Sequence, residues 1–163
     1  NGSLYPRFFE RPEASPTFKY QAVEPGKMLQ VEGYSILPVQ MNHEEVTVGY
    51  QVQARDNKSV FYSSDTGQDL AHCWKQISPD LLLNEVTFSN NMADFAVKSK
   101  HLTPSLLKIE LASFFKIKGY LPSVVIVHMA YGLEKEIEAE IAEVAKSLSI
   151  TIRIAHEGMQ MDL

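Results

Sequence analysis

The sequence predicts an α/β fold in which an antiparallel meander of strands leads into alternating helices and strands, and three observations carry that expectation. Runs of β-formers at 35–41, 46–53 and 59–63 are separated by turn residues. Beyond Asp65, short apolar runs alternate with stretches whose apolar residues recur every three or four positions, the helical spacing. Several apolar runs also end abruptly in a residue able to bind a metal ion. The run Ser35 to Met41 meets Asn42-His43, Ser59 to Ser64 meets Asp65, and Ser123 to Val127 meets His128. A site built on neighbouring strand ends needs that placement. Any one of these residues alone reads more simply as a turn-capping aspartate or a satisfied histidine.

The meander begins with Met28 to Val31, a Glu32-Gly33 turn and Tyr34 to Met41, which together read as a hairpin. Val46 to Gln53 alternates as a strand with one covered face, and Ala54 to Lys58 turns the chain back antiparallel into the strand ending at Asp65. A helix over 68–76 follows, carrying Leu70, Cys73 and Trp74 at helical spacing and stopped by Ser78-Pro79. Asp80 to Val86 reads as a buried strand with a polar end at Asn84-Glu85, and 87–100 as a loop. Thr103 as N-cap and Pro104 at the first helical position start the next helix, leaving His101 just outside its N-terminus. Its expected stripe is Leu107, Leu111, Phe114 and Phe115, ending at Gly119. A last helix places Leu133, Ile137, Ile141, Val144 and Leu148 on one face and glutamates on the other, the pattern of a surface helix packed on a sheet. Ile150 to Ile154 and Met159 to Met161 read as a closing strand pair.

Composition narrows the function classes. At 163 residues and 45% hydrophobic content, the chain can bury one ordinary core. A net charge of −5 argues against a surface that coats nucleic acid or a polybasic membrane patch, but not against a small anionic substrate. With Cys73 the single cysteine, no disulfide forms within the chain, which together with the lack of a signal pattern or membrane-length apolar run makes the cytoplasm the simplest assignment. Residues 1–26 hold four of the eight prolines and several aromatics without a period, and read as an irregular connector. With no initiator methionine and no obvious first strand, the chain reads as a fragment or processed form.

Taken together, Asn42-His43, Val48-Gly49-Tyr50, Phe61-Tyr62-Ser63-Ser64-Asp65-Thr66-Gly67, Asn84-Glu85-Val86-Thr87-Phe88 with Asn91-Met92, His101-Leu102-Thr103-Pro104 and Val127-His128 resemble the C-terminal half of the metallo-β-lactamase superfamily. The resemblance starts near Gly33 and is strongest to the branch that holds class II cyclic-nucleotide phosphodiesterases and ribonuclease Z. It implies a metallo-β-lactamase-like αββα sandwich, with residues 27–163 supplying one sheet and its covering helices. It also implies two divalent ions, zinc first and manganese or iron as options. By the same resemblance, His43 would bind one ion, Asp65 would bridge both and His128 would bind the second, while His101 would donate a proton to the leaving oxygen. Two ions held about 3.5–4 Å apart can orient a bridging hydroxide and stabilise charge on a phosphoryl group, and zinc accepts imidazole and carboxylate ligands.

The chain departs from the family at its leading ligand motif, His-x-His-x-Asp-His, which is absent. The other histidines, His72 and His156, stand alone and cannot replace it. The chain by itself is therefore expected to be catalytically incomplete, and two classes of function compete. One is a metal-dependent phosphodiesterase acting on cyclic nucleotides or a related small phosphodiester, with RNA disfavoured by the acidic balance. The other is a degenerate, non-catalytic domain for binding or assembly. Either way, the sheet face without helices needs a cover: the N-terminal half of the fold, a second chain or a second copy.

Overall fold

The computed structural model describes Ser15 and residues 21–163. Most of the expected connector thus lies outside the described residues. A single seven-stranded sheet runs in the order β1 Leu29–Val31, β2 Tyr34–Gln40, β3 Val48–Gln53, β4 Ser59–Tyr62, β5 Leu81–Glu85, β6 Ser123–Val127 and β7 Ile152–Ile154. Pairings from β1 to β4 are antiparallel and those from β4 to β7 parallel. With β3 reversed, β2 points the same way as β4, β5 and β6, so the C-terminal ends of these strands share one rim. That geometry gathers residues scattered from position 43 to 128.

The predicted hairpin forms. Glu32 and Gly33 both take positive φ, 50° and 88°, as its tight turn requires. A Cβ at Gly33 would also lie 2.7 Å from Arg55 Nη2. Pro38 is tolerated inside β2 because it lies past the end of β1, and its carbonyl accepts from Gly26 N at 2.8 Å.

The parallel half is covered on one face by α1 Ala71–Gln76, α3 Pro104–Lys118 and α4 Glu134–Leu148. Each crossover steps in the same direction across the sheet, and crossovers of one hand place their helices on one side. Val39, Phe61, Leu82, Val124 and Ile126 meet Trp74, Leu107, Leu111, Phe114, Ile137 and Ile141 in a continuous core. Trp74 sits edge-on to both Phe61 and Phe114.

Several expectations are corrected. Part of the expected loop at 87–100 is α2, Ala93–Lys98, preceded by a single turn of 3-10 helix at Asn90–Met92. Six residues with only Ala96 buried are too short to show a period. Phe115 is 54% exposed, and the buried face of α3 instead includes Glu110. Phe114 already continues the 107, 111, 114 spacing, whereas Phe115 lies a further 100° round the helix. Val46 stands outside β3, 85% exposed. Met159 to Met161 forms no strand. With Val60, Leu81, Leu83, Val125 and Val127, these methionines line a cavity of about 310 Å³ on the face opposite the helices.

Candidate metal and catalytic site at the strand rim

The rim brings His43, Asp65, His101 and His128 together. One ligand atom from each of His43, Asp65 and His101 lies within 4.8 Å of the others, and the same holds for Glu85, His101 and His128. His101 packs edge-on to His43 at 4.9 Å between ring centres and stacks on His128 at 5.9 Å. Asp65 Oδ1 lies 3.5 Å from His128 Nδ1. Neither His72 nor His156 joins these groups, as their sequence positions suggest.

Hydrogen bonds between loops hold the cluster. Gly67 N donates to Asn42 O at 2.7 Å and Asn42 Nδ2 to Gln68 O at 2.6 Å, tying the His43 loop to the Asp65 loop. Three non-glycine residues with left-handed backbone sit at or directly before site residues: Ser64 (φ 55°), Lys100 (φ 52°) and His128 (φ 55°). Each such conformation costs on the order of 1–3 kcal/mol and persists only where its surroundings enforce it. Ser64 Oγ donates to Val48 O, and the carbonyl of His128 accepts from Thr87 Oγ1.

Glu85, which in the sequence shows only as the polar end of a strand, organises the cluster. It is 1% exposed. Oε1 accepts from Thr66 N at 3.1 Å and from His101 Nδ1 at 2.8 Å. Oε2 accepts from Thr87 N and Thr87 Oγ1, both at 2.9 Å, and from Leu102 N at 3.3 Å. With both oxygens so engaged, Glu85 is poorly placed to ligate an ion. Its hydrogen bond instead pushes the His101 pKa above the ordinary imidazole value. Burial opposes that shift, and the charges of Glu85 and Asp65 reinforce it.

The donor set fits a divalent ion of the zinc type. His43 Nδ1 lies 3.0 Å from the carbonyl of Lys100, His101 Nδ1 faces Glu85, and His128 Nδ1 lies 3.0 Å from Thr87 Oγ1. Oxygen therefore occupies the Nδ1 side of every ring and leaves each Nε2 as the free nitrogen. Metal-binding histidines are oriented by partners of this kind on the opposite nitrogen.

No family model matches the chain, and no curated protein sequence does. Solved structures do. The metallo-β-lactamase fold protein YhfI from Bacillus subtilis superposes with a TM-score of 0.67 at 18% identity, over 93% of this chain and 61% of that one. Isothiocyanate hydrolase from Delia radicum gut bacteria gives 0.62 at 15%, over 89% and 60%. The short form of human tRNase Z gives 0.57 at 18%, over 80% and 44%. The chain has the metallo-β-lactamase fold, and it spans less than two thirds of the length of each of these proteins.

Proposed function

We propose that residues 27–163 form the C-terminal half of a metal-dependent hydrolase whose substrates are phosphodiesters, cyclic nucleotides or related small molecules foremost. The observation that supports this most is the gathering of His43, Asp65, His101 and His128 on one rim, His43 beside Asp65 and Asp65 3.5 Å from His128, with an oxygen at the Nδ1 of both His43 and His128. In this reading His43, Asp65 and His128 hold the metal, zinc by preference. Bound there, divalent ions would supply a Lewis-acid centre that neutralises phosphoryl charge and activates water. His101 would stand beside them as the general acid: its Nδ1–H donates to Glu85, whose charge favours the imidazolium, and its separate Nε2 proton would pass to the leaving oxygen, leaving a neutral ring protonated at Nδ1.

The missing ligands and the cover for the helix-free face come from the N-terminal half of the fold, in the same polypeptide or another. No described helix is long and apolar enough to cross a membrane. Substrate choice rests on chemistry rather than fold, since one neighbour is a tRNase and another an isothiocyanate hydrolase. A net charge of −5 favours small diesters over long RNA. The absent His-x-His-x-Asp-His favours a second reading, a binding domain without catalysis.

His101→Ala separates the two readings when assayed in the protein with its whole fold. Hydrolysis of an alkyl-leaving diester should fall about 10²–10⁴-fold, and that of a nitrophenyl diester much less. Equal losses on both substrates remove the acid role. No hydrolysis of cyclic nucleotides, nitrophenyl diester or tRNA precursor by the wild type supports the binding domain.

A further inference from the structure

We propose that Thr87 is a positioning residue whose hydroxyl selects the ring tautomer of His128, presenting Nε2 to the metal, and couples that ligand to the Glu85–His101 pair. This rests on reading His128 as a ligand. Thr87 is only 7% exposed, and its hydroxyl oxygen has four close polar neighbours. These are Glu85 Oε2 at 2.9 Å, His128 Nδ1 at 3.0 Å, His101 Nδ1 at 3.1 Å and the His128 carbonyl at 3.2 Å.

A hydroxyl has one proton and two lone pairs. The carboxylate and the carbonyl accept only, so the single proton must go to one of them. Directed instead at a ring nitrogen, it would leave both oxygen–oxygen contacts, at 2.9 and 3.2 Å, without a proton rather than only one of them. The lone pairs consequently face the two imidazoles, and the Nδ1 pointing at them carries hydrogen. For His101 this choice is redundant, since Glu85 Oε1 at 2.8 Å demands the same tautomer. For His128 it is decisive: the other acceptor near Nδ1, Asp65 Oδ1, is 3.5 Å away and belongs to the proposed metal set. Thr87 Oγ1 also lies 3.2 Å from the His128 carbonyl, so one side chain packs against both the ring and the left-handed backbone of that residue.

The asymmetry between the histidines supplies the test. In the chain labelled with nitrogen-15 histidine and freed of metal by a chelator, long-range proton–nitrogen correlation above the imidazole titration range reads each tautomer directly. Wild-type His101 and His128 should both be Nδ1–H. In Thr87→Val, His128 should turn over to Nε2–H while His101 stays as it was. Thr87→Ser should keep the wild-type pattern. Zinc affinity should drop about 10–100-fold in the valine variant, the usual effect of losing a ligand's hydrogen-bond partner, and recover in the serine variant.

The proposal is overturned if wild-type His128 is Nε2–H, a result that needs no variant to fold. An unchanged His128 in a folded Thr87→Val chain, or a serine variant that behaves like valine, overturns it equally. Added zinc that leaves the wild-type His128 signals unmoved removes the ligand reading instead, and the tautomer result stands apart from it.

Discussion

Two glutamates are buried among the described residues, and they do different things with the same charge. Glu110, on α3, is 4% exposed and accepts from Asp69 N, Leu70 N and the Trp74 indole at 2.8, 3.2 and 3.0 Å. Glu85, at the end of β5, is as deeply buried and as fully bonded, but one of its donors is the His101 ring. Each carboxylate raises the pKa of a neighbour. Near Glu110 that neighbour is Cys73, pushed up to about 12 mainly by burial and further by the glutamate, and locked as a neutral thiol. Near Glu85 it is an imidazole at the rim, which is charged when protonated and can give the proton away. A buried carboxylate becomes useful for chemistry only where the strand ends open it to a transferable proton.

The largest effect expected from this contrast is on turnover. Glu85→Gln should slow hydrolysis of a diester with a poor leaving group about 10²–10⁴-fold, tracking loss of the His101 proton. Glu110→Gln should leave turnover untouched. Comparable losses from the two substitutions would erase the distinction between them. In stability the pair should look alike. An amide keeps only one acceptor oxygen, so each variant strands a buried donor at a cost of about 1–3 kcal/mol, readable by denaturant unfolding.

A smaller effect concerns Cys73, which is fully buried with Sγ donating to Gln40 O. Its folded pKa is raised from 9.0 to about 12, so the folded chain holds a proton that the unfolded chain releases. The corresponding stability is fully present below about pH 9.0 and is lost as pH climbs towards about 12. Iodoacetamide should therefore label the native chain far more slowly than the denatured chain at pH 8. Rapid native labelling would contradict the burial.

Much of this was legible in the sequence where strand ends carry the signal. His43, Asp65 and His128 each close an apolar run, and sharing a rim follows once β2 and β4 to β6 run the same way. The role of Glu85 was not legible, because its donors at 66, 87, 101 and 102 come from separate loops that meet only in the fold. What the sequence did offer was a carboxylate ending an otherwise apolar strand. Glu110 was hidden in the same way, since its partners lie 36 to 41 residues away, and periodicity put Phe115 on the stripe instead. The His43 acceptor, a main-chain carbonyl of Lys100, carries no residue-type signal at all.

The central claim is that His43, Asp65 and His128 hold the ion while His101 stands outside it, although a His101 ring nitrogen lies close enough to His43 and Asp65 to ligate one. Calorimetric zinc titration of the wild type, His101→Ala and Asp65→Ala tests this most directly. With His101 outside the ligand set, the wild type and His101→Ala should bind zinc alike and Asp65→Ala should not bind it. Loss of zinc in His101→Ala together with Asp65→Ala would make His101 a ligand and contradict its role as a general acid outside the metal set.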